Sequence, residues 1–133
     1  IYTLSDYTGN GERILVVDDE QNQLKITSNM LRRMGYRVAT VPSGEAAVDH
    51  AVDNPVDLVI LDMIMAPGID GLETFNRLCR VRPGIRAVLA SGYSKTRDVE
   101  AAQASGAGAF LKKPFSLQTL GLAVKHELER QKS

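Results

Sequence analysis

Short apolar, β-branched runs alternate along this chain with longer segments in which apolar residues return every three or four positions. The runs Arg13 to Val17, Tyr36 to Thr40, Asp57 to Leu61, Ile85 to Ala90 and Ala109 to Leu111 predict strands. The segments Gln21 to Met34, Gly44 to Asp53, Gly71 to Val81, Lys95 to Ser105 and Leu117 to Arg130 predict helices. The punctuation agrees with these limits. Gly35 suits a left-handed helix end, Pro55 and Pro83 stop the next two helices, and Gly106 stops the fourth. Ser43 and Ser116 can accept from the first free amides of their helices, and Asp70 with Glu73 resembles a capping box. Leu117, Leu120, Val124 and Leu128 recur on one face of the last helix, which predicts that it docks.

The runs Ile14 to Val17, Leu58 to Leu61 and Ala87 to Ala90 are apolar throughout, as central parallel strands covered on both faces must be. The second and fifth runs are weaker and suit positions nearer the edges. With right-handed crossovers, five such repeats give a doubly wound α/β sandwich, and sites in open sheets of this kind lie outside the carboxyl ends of the strands. Residues 1 to 11 carry turn formers and no sustained period, so they read as a linker or a remnant, with the domain proper spanning 12 to 133.

Bulk properties narrow the function. The 133 residues suffice for one domain with a real core. Sixteen basic and 16 acidic residues cancel, so nothing favours nucleic acid or an anionic membrane as a partner. No apolar run is long enough to span a bilayer and no signal-like start is present, so a cytoplasmic setting is expected. The single cysteine, Cys79, falls at core spacing on a helix and is expected to act as a small apolar group.

The strand ends concentrate the chemistry. Asp18 and Asp19 follow the first strand, Asp62 the third, Ser91 and Gly92 the fourth, and Lys113 the fifth. Paired strands lie about 4.8 Å apart, so neighbouring first and third strands would crowd three carboxylates together. Two like charges about 5 Å apart repel by roughly 3 kcal/mol at an effective dielectric of 20, so the trio needs a cation or a proton. Oxygen-rich sites with room for water suit magnesium, with manganese as the alternative ion. Such a cation beside Asp62 would screen an anionic nucleophile from an anionic donor, while Ser91, Lys113 and free amides after Asp62 would receive phosphoryl oxygens. Taken singly, each residue has an ordinary explanation. Asp18 and Asp19 could cap a helix, Asp62 or Ser91 could shape a turn, and Lys113, like Lys112, could be a solvated side chain. Joint placement on one rim is what favours chemistry.

These segments, Ile14 to Glu20, Leu58 to Asp62, Pro67 to Gly71, Ala90 to Gly92 and Leu111 to Phe115, resemble the receiver domain of two-component response regulators and hybrid sensor histidine kinases over about residues 12 to 130. The resemblance implies a flavodoxin-like (βα)5 fold with a five-stranded parallel sheet of order 2-1-3-4-5. It implies that Asp62 accepts a phosphoryl group from a phosphohistidine of a histidine kinase or histidine phosphotransfer domain, that Asp18, Asp19 and Asp62 hold magnesium, and that Lys113 contacts the phosphorylated carboxylate. It also implies a switch: Ser91 turns towards the phosphoryl group, Phe110 changes rotamer with it, and a downstream protein reads the surface of the fourth helix, fifth strand and fifth helix. Lys113-Pro114 would be a cis peptide by the same resemblance.

One departure follows the acceptor. The family commonly places proline four residues later, whereas Pro67 stands five after Asp62, so one residue is inserted. The insertion bears on whether the carbonyl of Ile64 completes the metal shell. The apolar Ile64 side chain, which cannot assist water, predicts slow self-dephosphorylation. No output domain is expected beyond Ser133, and the longer loop and leading segment favour the terminal receiver of a hybrid kinase over a stand-alone regulator. In either setting the domain promotes its own phosphorylation without being a conventional enzyme. Two rivals are weaker. An aspartate-nucleophile phosphatase usually carries Asp-x-Asp-x-Thr after the first strand, where this chain has Asp18-Asp19-Glu20-Gln21-Asn22, and a pure interaction domain has no use for the complete polar set.

Overall fold

Within residues 2–131, which the computed structural model describes, five parallel strands alternate with five α-helices. The order is β1 (Arg13–Val17), α1 (Gln21–Arg33), β2 (Arg37–Val41), α2 (Gly44–Asp53), β3 (Leu58–Asp62), α3 (Gly71–Val81), β4 (Arg86–Ser91), α4 (Arg97–Ala104), β5 (Phe110–Lys112) and α5 (Leu117–Glu129). The strands pair in the order β2-β1-β3-β4-β5, as expected. Ile1, Lys132 and Ser133, the outer limits of the two expected segments, lie outside the described residues.

Alternation within the central strands divides the core into two layers. Leu15, Val17, Val59, Leu61, Ala87 and Leu89 face Ala47, Phe75, Leu78 and Val99 from α2, α3 and α4. Ile14, Val16, Leu58, Ile60 and Val88 face Leu24, Leu31, Leu120 and Val124 from α1 and α5. Cys79 packs half-buried against the first layer. Side-chain caps start four helices: Ser43 accepts from Ala46, Asp70 from Glu73, Thr96 from Val99 and Ser116 from Thr119.

Four strands end one residue later than their expected runs, β2 at Val41 and the other three at polar residues. Asp62 pairs with Ala90 and Ser91 with Lys112 inside the ladder, so these polar residues terminate β3, β4 and β5 rather than following them. Backbone amides carry the pairing, and a polar side chain at the rim does not interrupt it. The fourth helix is shorter than its expected span because Thr96 caps it.

The segment read as a linker is attached to the domain. Residues Leu4–Asp6 form a 3-10 turn, the amides of Gly9 and Gly11 donate to the carbonyls of Met34 and Gly35, and Lys125 Nζ donates to the Ser5 carbonyl at 2.6 Å. Tyr7 packs against the layer beneath α1 and α5, where a Cβ on Gly121 would stand 2.6 Å from both Tyr7 Cβ and Met34 Sδ. Close backbone approach leaves no hydrophobic period, which is why the sequence pattern conceals it.

At the opposite end of the sheet from the strand termini, Glu127 is fully buried and paired twice with Arg130, at 2.8 and 2.9 Å. Arg130 also donates to the Gly106 carbonyl, and Arg86 donates to the carbonyl of Glu127. This cluster fastens the last turn of α5 to β4 and to the loop before β5.

Candidate functional site

The parallel register brings the expected residues to one rim. Val17 pairs with Leu61, which sets Asp18 beside the end of β3, and the carboxylate oxygens of Asp18, Asp19 and Asp62 can approach within 4.8 Å of one another. Asp18 and Asp62 are buried, at 3% and 5% exposure, whereas Asp19 is open to solvent. The burial means that water cannot fully disperse the repulsion.

Neither aspartate of the first pair caps α1. Glu20 occupies the N-cap without a side-chain cap bond, and Asp18 Oδ1 instead accepts from the Glu20 amide at 3.0 Å. Asp62 does shape its own turn, accepting from the Ile64 amide at 3.3 Å. That bond leaves its other oxygen available, so the turn and a reactive role are compatible.

Lys113 supplies the cation. Its ammonium donates to Asp18 Oδ2 at 2.6 Å and stands 3.6 Å from Asp62 Oδ1. The Lys113 amide donates to the carbonyl of Ser91 at 2.8 Å, which fixes the lysine's origin to the end of β4. A cis bond joins Lys113 to Pro114, as the resemblance implied, and a second cis bond joins Ala66 to Pro67. Ser91 is buried, and its oxygen accepts from the Tyr93 amide at 3.0 Å, which leaves the hydroxyl hydrogen to be donated elsewhere.

Desolvation is the main influence on Asp62 and raises its pKa from 3.8 to about 6. Lys113 opposes that rise, Asp18 adds to it, the Ile64 amide opposes it, and Asp19 adds to it. An ionised Asp62 is therefore under-compensated by the protein alone. Hard oxygen donors, an under-neutralised charge and an open cleft of about 630 Å³ fit a divalent cation of the magnesium class.

The cleft is bounded by residues the sequence reading did not select. Glu20 and Gln23 line the α1 side, and Tyr93 lines the cleft after β4 as Ile64 does after β3. Tyr93 and Ile64 are unusually exposed for their size, at 66% and 48%. An aromatic two residues past a strand-end serine is the only sequence signal that could have marked Tyr93. Phe110 opens β5, half-buried against the layer formed with α3 and α4, and pairs with Leu89. Lys112 points to solvent.

Comparisons with known proteins agree with this geometry. The family model described as the response regulator receiver domain matches residues 14–125. Response regulator SaeR of Staphylococcus aureus (strain USA300) is 32% identical over 119 residues, covering 90% of this chain and 51% of the relative. The chain thus spans about half the length of the curated relatives it matches. Among solved structures, a CheY-like response regulator receiver domain protein from Methanospirillum hungatei JF-1 superposes with a TM-score of 0.83 at 26% identity, covering 90% of this chain and 95% of the other. The BeF3-activated DrrB receiver domain gives 0.78 at 32% identity, covering 90% and 99%. The chain belongs to the response regulator receiver domain family and is a receiver domain of two-component signalling.

Proposed function

We propose that Asp62 is the phosphoryl acceptor of this receiver. The carrying observation is the placement of its buried carboxylate within reach of Asp18, Asp19 and Lys113 at the carboxyl ends of β1, β3 and β5. Asp62 attacks phosphorus on a phosphohistidine, a new O–P bond forms, and the P–N bond breaks. Its electron pair returns to the imidazole nitrogen, and Asp62 becomes an acyl phosphate. Asp18, Asp19, Asp62 and the Ile64 carbonyl would hold magnesium, or manganese in its place, and the ion would supply charge neutralisation between nucleophile and donor. Lys113 receives a phosphoryl oxygen as a point charge, and Ser91 donates its hydroxyl.

The rim is linked to a surface by short connections. Ser91 joins β5 through Lys113 and lies one strand from Phe110, so a Ser91 rotation towards the phosphoryl group and a Phe110 rotamer change would alter the face of α4, β5 and α5. Phosphorylation then favours one of two packings, and a downstream protein reads the difference. The exposed apolar Ile64 beside Asp62 offers water no assistance, which supports a long-lived acyl phosphate. The donor is a histidine kinase or histidine phosphotransfer domain, in a cytoplasmic setting. The longer acceptor loop supports a place in a hybrid sensor kinase, while the relatives named response regulators support the alternative. The sequence preceding Ile1 distinguishes them, since a kinase core there belongs only to the first.

The test is incubation with acetyl phosphate and magnesium, followed by intact mass measurement of the parent and Asp62→Asn. One phosphoryl adduct on the parent and none on the variant is expected. An adduct retained by Asp62→Asn would place the acceptor elsewhere.

A further inference from the structure

The loop from Met63 to Asp70 carries the extra residue, and its attachments are unevenly distributed. Its first half is pinned by Met63 and Met65, both buried in the core, and by the Ile64 amide on Asp62. Its second half, Ala66 to Ile69, is held from outside the loop. Glu45, in the first turn of α2, accepts from the Ile69 amide at 3.0 Å. Gly68, at φ +103°, lies so close that a Cβ there would stand 2.8 Å from both Glu45 carboxylate oxygens.

The carboxylate is itself anchored. Ser43 caps α2, and Gly44 admits close packing, since a Cβ on it would meet Thr74 Oγ1 at 2.0 Å and Ile69 Cγ1 at 2.6 Å. Glu45 also accepts from its own amide at the positive end of the helix, and these backbone bonds hold its carboxyl below the usual carboxylate range. The acceptor and both donors are thus in place, and the bond to Ile69 is charge-assisted.

We propose that Glu45 is a positioning residue for phosphoryl transfer: by clamping Gly68 and Ile69 it holds the lengthened loop in the shape that presents Ile64 to the acceptor site. The proposal rests on the reading of Asp62 as acceptor. It assigns to α2, which contributes no group to the cleft, control over how the site binds its cation. It also accounts for how one inserted residue is accommodated: the arc Ala66 to Gly68 takes up the extra length and Glu45 closes it.

The test compares the parent with Glu45→Ala, Glu45→Gln and Gly68→Ala. In Glu45→Ala the magnesium concentration giving half-maximal phosphorylation by acetyl phosphate should rise about tenfold, the scale seen when outer-shell partners of metal sites are removed. Glu45→Gln, which keeps an acceptor for Ile69, should recover most of the loss, and Gly68→Ala should reproduce the defect by displacing the carboxylate. A helical stabiliser with no positioning role would leave magnesium dependence unchanged, and that result overturns the proposal. Amide hydrogen exchange provides a readout independent of chemistry. Glu45→Ala should accelerate exchange at both Ile69 and Ile64, whereas acceleration at Ile69 alone overturns the proposal even if Asp62 is not the acceptor. Failure of the parent to form an Asp62 adduct would instead refute the acceptor reading, leaving the exchange result to judge the clamp.

Discussion

Lys113 lies closer to Asp18 than to Asp62, at 2.6 Å against 3.6 Å. The lysine thus pairs more tightly with a carboxylate that the proposed function needs as a metal ligand than with the acceptor itself. Removing it should separate binding from chemistry. Lys113→Ala should bind magnesium at least as tightly as the parent while its phosphorylation rate falls by about a hundredfold or more, the lower end of losses for a charge-stabilising group. Magnesium titration by calorimetry alongside acetyl phosphate kinetics checks both halves. A parallel loss of magnesium affinity would show that Lys113 organises the site instead.

The raised pKa of Asp62 predicts an inverted pH dependence for the metal-free protein. Between 3.8 and about 6 the folded state retains a proton that the unfolded chain has released, so this group's contribution is present below that window and lost as pH rises through it. A shift of this size corresponds to roughly 2 to 3 kcal/mol. Asp62→Asn should therefore gain stability relative to the parent at pH 7 in chelator, with the gain vanishing near pH 4. Chemical denaturation of the pair across that range gives the comparison.

A cation should act in the same direction as that substitution. At pH 7.5, magnesium at about ten times its dissociation constant should stabilise the parent by roughly 1.4 kcal/mol. Asp18→Asn and Asp62→Asn should lose most of this increment, and chelation should reverse it in the parent. Thermal melts with matched ionic strength provide the readout, and equal stabilisation of all three proteins would argue against a site at the rim.

The attachment of residues 5 to 11 can be measured as a coupling. Tyr7→Ala should cost about 1 to 2 kcal/mol for a half-buried aromatic. Gly121→Ala should cost about 1 to 3 kcal/mol by overpacking against Tyr7 and Met34. If the two residues meet, Gly121→Ala should cost clearly less once Tyr7 is alanine. Additive losses would mean that the segment does not cover α5 in solution.

Tyr36 gives a second pH test at the alkaline end. Burial chiefly raises its pKa to about 12, with Glu12 and Glu129 adding to the rise. Its stabilising contribution is complete below pH 10 and is lost as pH rises towards 12. Tyr36→Phe should flatten the loss of stability between those values, as followed by denaturant midpoints.

How far the sequence displayed this structure depended on whether a feature leaves a period. The central strands did, because Ile14 to Val17, Leu58 to Leu61 and Ala87 to Ala90 are buried on both faces and must be apolar throughout. The shared rim also followed, since parallel strands place all their carboxyl ends together. Backbone-only features did not. Asp62 and Ser91 remain in the ladder although their side chains are polar, and Gly9 and Gly11 join the domain through amides that no hydrophobic pattern reports. Glu45 was hidden for a third reason: its partners, Gly68 and Ile69, lie 23 and 24 residues away, and an exposed glutamate near a helix start has an ordinary local explanation.

The buried Glu127 and its arginines concern motion. Opening the last turn of α5 would strip Arg130 from a desolvated carboxylate and release the Gly106 carbonyl at once, and a buried charge left without its partner is strongly unfavourable. Amides there should exchange only through global unfolding and at the same rate before and after phosphorylation. The domain then resembles a clamped reed: held fast where Glu127 lies, and free to respond from the acceptor along the rest of the face of α4, β5 and α5.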